Sequence, residues 1–146
     1  GKLLRQTLAD MDGEIQKSPY KFKIDIPKEA VMVYADGDRM YRVFQNLIGN
    51  ALKYSLEGSR IYISLKTEKN AAVADIRNTS RSELKQDVDF TARFTRGDES
   101  RTDGGSGLGL SIAKSFTEAC GGTFEVETMA DLFTVKVSFE QKKCNV

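Results

Sequence analysis

The sequence predicts an α+β fold: a two-layer sandwich in which a mixed, mostly antiparallel sheet carries about three helices on one face. Three observations carry this. Apolar residues recur at helical spacing in three separate stretches. Strands with period-two alternation arrive in pairs between those helices, which is not the strict alternation of a doubly wound sheet. The length of 146 residues suits one domain.

The elements follow in order. Residues 3–16 place Leu4, Leu8, Met11 and Ile15 on one helical stripe, and Ser18-Pro19 ends it. Residues 21–26 alternate charged and apolar positions (Phe22, Ile24, Ile26) as a half-exposed strand, closed by Pro27. Residues 31–34 read as a second short strand. Asp36 offers an N-cap for a helix that runs to about Ser55. After a turn at Glu57-Gly58, residues 60–66 alternate again through Ile61, Ile63 and Leu65. Lys69-Asn70 is a tight turn into the partner strand 72–77, giving an antiparallel hairpin. Residues 78–106 are mostly polar, with a short helix expected over 82–90. From 93 to 106 there is no periodicity, and an irregular stretch of that length in a small domain is usually functional, often a lid. Residues 108–120 form a helix stopped by Gly121-Gly122. Two strands, 123–128 and 132–140, close the chain around a turn at Met129-Ala130-Asp131, and the tail beyond Glu140 is expected to fray.

Composition narrows the chemistry. Hydrophobic residues make up 40% and charged residues 29%, which excludes disorder and fibrous repeats. With 22 basic and 21 acidic residues the net charge is +1, which argues against a nucleic-acid or membrane-surface binder. No apolar run approaches the roughly 18 residues of a spanning helix, and no signal peptide opens the chain, so a soluble intracellular piece is expected. Cys120 and Cys144 make neither a disulfide framework nor a zinc site; Cys120 follows the apolar phase of its helix and Cys144 reads as a bystander. The chain has no histidine. That removes a Ser–His–Asp triad, a Cys–His pair and any His-bound metal. Gly1 and the abrupt helical start suggest an excised domain.

Two constellations stand out. On the helix after Asp36, Arg42, Asn46, Gly49, Asn50 and Lys53 fall on one side at about 100° per residue, with Phe44, Leu47, Ile48, Ala51 and Leu52 opposite. Two stacked amides can hold a hydrated Mg²⁺ through one or two oxygens, and an ammonium one turn on can reach a phosphate. A solvated helix face is the bland alternative, but two asparagines inside a helix are poor helix formers and ask for a reason. The second constellation is Gly104-Gly105-Ser106-Gly107-Leu108-Gly109-Leu110, leading straight into a helix. Such a loop brings backbone N–H groups against phosphate oxygens at a helix N-terminus. It is neither a Walker A loop nor a dinucleotide fingerprint. A mere hinge would not need alternating glycines where each costs roughly 1 kcal/mol against alanine.

Together these elements resemble the catalytic ATP-binding domain of bacterial sensor histidine kinases, whose nucleotide pocket recurs in gyrase, mismatch-repair and chaperone ATPases. QNLIGNALKY at 45–54 looks like its N box, FTARFTRGDESR at 90–101 like its F box and lid, and GGSGLGLSIAK at 104–114 like its second glycine box. The likeness runs from about Val31 to Phe139 with the motifs in order. It implies the Bergerat ATP-binding fold, with a linker helix at 1–17, the ATP-binding domain at 18–140 holding a lid at 93–106, and a tail at 141–146. It implies further that Asn50 coordinates the Mg²⁺ bridging the ATP phosphates, with Asn46 in support. Lys53 would touch phosphate, Tyr54 would lie against the nucleotide, and Arg96 would approach the γ-phosphate from the lid. Gly105, Gly107, Leu108 and Gly109 would bind phosphate through the backbone.

In the family a D-x-G-x-G carboxylate accepts the adenine amino group. Here Asn78-Thr79-Ser80 stand in its place. Asn78 shares the parity of Ile76 and should point inward, where its amide oxygen can accept the same hydrogen bond; Asp75 has the opposite parity and ranks second. Thr91 stands where many relatives have the F-box phenylalanine, and Ala130-Asp131-Leu132-Phe133 replaces the usual G-x-G-T approach. The implied activity is protein-histidine kinase. ATP would give its γ-phosphate to a histidine on a separate dimerisation domain, for relay to a response regulator. The implied setting is the cytoplasmic part of a membrane-anchored sensor, with the fragment itself monomeric. The alternatives are an anti-sigma-factor-type serine kinase and a nucleotide-free interaction module.

Overall fold

The computed structural model describes residues 1–84, 89–91 and 109–141. Its sheet has five strands: β1 (Lys21–Asp25), β2 (Arg60–Glu68), β3 (Ala71–Thr79), β4 (Thr123–Met129) and β5 (Leu132–Glu140). They lie in the order β1-β2-β3-β5-β4. β1 runs parallel to β2, and every other neighbour is antiparallel. The helices are α1 (Lys2–Asp10), α2 (Asp12–Lys17), α3 (Gly37–Tyr54) and α4 (Gly109–Ala119). The core lies between one sheet face and the helices. Strand positions Ile61, Ile63, Ala74, Ile76, Val135 and Val137 meet Leu4 and Leu8 of α1, Val43, Leu47 and Ile48 of α3, and Ala113 of α4. The predicted α+β sandwich, mixed sheet and one-sided helices are borne out.

Local chemistry explains most boundaries. The Asp36 carboxylate accepts from the backbone N–H of Asp38 at 2.9 Å and of Arg39 at 3.2 Å, capping α3. Lys69 and Asn70 both take positive φ, 47° and 66°, as a two-residue hairpin turn requires. α4 ends where Gly121 enters the left-handed region at φ 85°, and the Gly122 N–H returns to the Thr117 carbonyl at 2.9 Å. A Cβ on Gly122 would sit 2.7 Å from the Phe139 ring and 2.9 Å from the Ser138 carbonyl, so only glycine lets the chain pass β5 here.

Three expectations are corrected. The helix at 3–16 is two helices, divided at Met11, whose φ −96° and ψ 7° depart from helical values although its N–H still reaches the Thr7 carbonyl at 3.1 Å. Gly13 follows in a region with little apolar stripe left to hold it. The strand at 31–34 is not formed: its one ladder contact is an isolated bridge between Val33 and Gln141. Residues 81–84 are irregular, where the start of a short helix was expected; 85–88 lie outside the described residues, as do the tail beyond Gln141 and Cys144.

Candidate functional site

The amphipathic pattern of α3 sorts its side chains as the sequence requires. Val43, Phe44, Leu47, Ile48 and Ala51 are buried; Asn46, Gly49, Asn50 and Lys53 are half-buried, and Arg42 is exposed. The half-buried stripe meets the start of α4, where the Asn46 Nδ2 donates to the Gly109 carbonyl at 3.4 Å. Two motifs 63 residues apart thus share one edge.

The other end of α3 is tied to the end of β3. The Arg81 N–H donates to the Tyr54 carbonyl at 3.0 Å, and the Leu56 N–H to the Thr79 carbonyl at 2.8 Å. Ser55 and Ser80 form an antiparallel bridge. Two hydroxyls hold the helix end: Ser55 Oγ donates to the Ala51 carbonyl at 2.5 Å, and Tyr20 Oη donates to the Ser55 carbonyl at 3.1 Å. These bonds bring the segment bearing Lys53 and Tyr54 beside the one bearing Asn78, Thr79 and Ser80. Lys53 Nζ lies 5.7 Å from the Tyr54 ring centroid, a cation–π distance.

Asn78 follows the core phase of β3. It is 3% exposed, in register with Ile61 on one side and Phe133 on the other. Asp75 faces the opposite side of the sheet, where Ser64 Oγ donates to its Oδ1 at 2.7 Å. The Ser80 N–H donates to the Asp131 carbonyl at 2.7 Å, joining the end of β3 to the β4–β5 turn.

Phe90 falls in the F-box-like stretch, but sequence reasoning assigned it no role of its own. Its ring packs edge-on to Phe133 at 5.2 Å and 84°, while neighbouring Thr91 turns back, its N–H donating to Asp89 Oδ1 at 2.9 Å. The signal was an aromatic one position ahead of the one sought. Tyr20 was also passed over, since nothing local connects it to Ser55. Arg96, Gly105, Gly107 and Leu108 lie outside the described residues. Asn46 and Gly109 meet directly, Asn50 and Lys53 lie on the same half-buried stripe of α3, and Tyr54 is tied to the end of β3, the strand that carries the buried Asn78.

The chemistry of this edge is that of hard oxygen and nitrogen donors. The Asn46 amide spends its N–H₂ on Gly109, which leaves its Oδ1 as an acceptor. The Asn50 amide is one helical turn on. Carboxamide oxygens are the kind of ligand a hydrated Mg²⁺ accepts, so these residues fit that ion. Among the described residues no group of three or more His, Cys, Asp or Glu side chains gathers as a metal cage.

Comparison with known proteins gives the family and the fold. The family model described as histidine kinase-, DNA gyrase B-, and HSP90-like ATPase matches residues 35–142. The sensor protein KdpD of Clostridium acetobutylicum is 36% identical over 110 residues, which are 73% of this chain and 12% of KdpD. The sensor histidine kinase YcbM of Bacillus subtilis is 36% identical over 118 residues, 78% of this chain and 38% of YcbM. The chain therefore spans well under half the length of these curated relatives. Among solved structures, the nucleotide-free catalytic domain of histidine kinase ThkA superposes with a TM-score of 0.81 at 22% identity, covering 96% of this chain and 91% of that one. The resemblance drawn from the three motifs is borne out, and with the matched residues running through α3, β3 and α4, the chain belongs to the family of histidine kinase-, DNA gyrase B- and HSP90-like ATPases.

Proposed function

We propose that this chain is the ATP-binding catalytic domain of a sensor histidine kinase, binding Mg·ATP and presenting the γ-phosphate to a histidine on another domain. The observation that carries this is the meeting of the asparagine stripe of α3 with the first residue of α4, through Asn46 and Gly109. The chain itself has no histidine, so the acceptor is supplied elsewhere.

In this reading Asn50 would coordinate the Mg²⁺ by its amide oxygen, with Asn46 in support. When bound, the ion neutralises charge on the phosphate oxygens. Lys53, at the last turn of α3, adds positive charge near the transferring phosphate. Arg96 does the same from the lid at 93–106, and Gly105, Gly107, Leu108 and Gly109 offer backbone N–H groups. Asn78 recognises the base: its amide oxygen accepts from the adenine amino group, and Tyr54 lies against the nucleotide. The phosphorylated partner passes its phosphoryl group to a response regulator. The setting we propose is the cytoplasmic side of a membrane-anchored sensor; among the described residues, no helix is long and apolar enough to cross a membrane.

The test is calorimetric titration with ATP in Mg²⁺ and then in EDTA, followed by mixing with a histidine-bearing dimerisation domain and labelled ATP. Binding that weakens in EDTA, and label on histidine, are expected. Label on a partner serine, or no binding in either buffer, would overturn the reading in favour of a serine kinase or an interaction module respectively.

A further inference from the structure

At the hairpin end of the sheet the core does not close. Leu65 pairs with Ala74, and Ala74 and Ala72 pair with Val137 and Phe139. The two alanines remove side-chain volume where the other end of the same strands carries Ile63 and Ile76. Over this gap passes the irregular segment 28–35, attached to the ladder by the Val33–Gln141 bridge. The first turn of α1 forms the remaining wall. The result is a cavity of about 730 Å³, within the range of small-molecule pockets.

Three large apolar residues of its wall keep some exposure. Phe44 and Leu65 keep 9% and Phe139 8%, whereas Ile61 and Ile48 keep none. None of Asn46, Asn50, Lys53 or Asn78 lines the cavity, so it is separate from the nucleotide edge. Its interior is hydrocarbon, from Met40 and Phe44 of α3 and from the sheet.

The mouth is different. Lys2, Arg5 and Lys28 line it, against a single carboxylate, Glu29. The Arg5 guanidinium is held in place, donating to the carbonyls of Ile26 and Pro27. An apolar chamber with a fixed, net-positive rim is complementary to one kind of molecule. A neutral hydrocarbon leaves the cations unused, a cationic amphiphile is repelled by them, and a nucleotide cannot be desolvated inside.

We propose that this cavity binds a free, single-chain aliphatic carboxylate, its tail on Leu65, Ala74 and Phe139 and its head among Lys2, Arg5 and Lys28. The inference does not depend on the nucleotide reading.

The test is methyl NMR of the whole chain titrated with decanoate below its micelle concentration. Parallel titrations use decylamine and vesicles of anionic phospholipid. Saturable shifts of the Leu65, Val137 and Met40 methyls are expected, with one decanoate bound per chain. Decylamine should bind about tenfold more weakly or less. Filling the chamber with Ala74→Leu should abolish the shifts, and the double charge reversal Lys2→Glu/Lys28→Glu should weaken decanoate about tenfold. If Ala74→Leu fails to fold, Ala72→Val serves as the filling variant. Methyls that do not shift, decylamine that binds as well as decanoate, binding untouched by filling, or binding to vesicles alone would each overturn the proposal.

Discussion

Asn46 and Gly109 meet across 3.4 Å, the amide of one helix donating to the first carbonyl of another. The donor is what matters, so Asn46→Asp is the informative change: the shape stays, the N–H₂ goes, and a carboxylate faces a carbonyl oxygen. Loss of one hydrogen bond costs about 1 kcal/mol, and added negative charge opposes a phosphate ligand. The expected outcome is a lower denaturation midpoint together with ATP affinity down about tenfold or more. A variant that binds ATP like the parent would separate the α3–α4 bond from the ligand.

Asn50 should behave in the opposite sense for stability. It is half-buried in the second half of α3, and asparagine is a poorer helix former than alanine. Asn50→Ala is therefore expected to leave folding unchanged or improve it by about 0.5 kcal/mol. Mg²⁺-dependent ATP binding should disappear at the same time. Unfolding curves and calorimetry on one preparation decide it, and normal Mg·ATP binding would end the metal role.

Asn78 is a polar residue in a core phase, 3% exposed between Ile61 and Phe133. Asn78→Leu keeps the branched shape and burial, at a somewhat larger volume, but removes the acceptor. Stability should hold within about 1 kcal/mol, since an apolar group suits that site. ATP binding should fall by more than binding of inorganic triphosphate, which has no base to recognise. Equal losses for the two ligands would take base recognition away from Asn78.

Much of this arrangement was legible in the sequence because it depends on period and punctuation. Asp36 as a cap, the apolar stripe of α3, the Lys69-Asn70 turn and the inward phase of Asn78 all follow from local rules. What was not legible depends on partners far along the chain. Residues 31–34 have strand composition, yet strand formation needs a neighbour, and at Val33 only Gln141 supplies one. The bonds from Arg81 to Tyr54 and from Asn46 to Gly109 join motifs that read as separate along the chain. Phe90 reads as part of a polar stretch until Phe133 is seen beside it.

The glycines divide by what surrounds them. A Cβ at Gly122 would overlap the Phe139 ring and the Ser138 carbonyl, and the backbone partner cannot swing away. Gly122→Ala is expected to destabilise by about 2 kcal/mol. Gly13 in α2 has open space around its Cα, so Gly13→Ala should stabilise by about 0.5 kcal/mol. Thermal unfolding of the pair checks both signs, and equal shifts would contradict the packing of the chain against β5.

Tyr41 Oη donates to Asp10 Oδ2 at 2.7 Å, joining α3 to α1. That hydrogen bond, with a smaller contribution from desolvation and from the Asp10 charge, raises the Tyr41 hydroxyl above its ordinary value of 10.0. The folded state thus holds this proton more tightly than the unfolded chain. The bond contributes its stability fully below the ordinary tyrosine range and loses it as pH rises through the raised value. Tyr41→Phe should lower the melting temperature slightly at neutral pH, because the pair is solvent-exposed and worth little. The gap between parent and variant should close once the pH passes the raised value, where a phenolate would face the Asp10 carboxylate. A gap that stays constant through that range would show that the Tyr41 ring, and not its proton, holds α1 against α3.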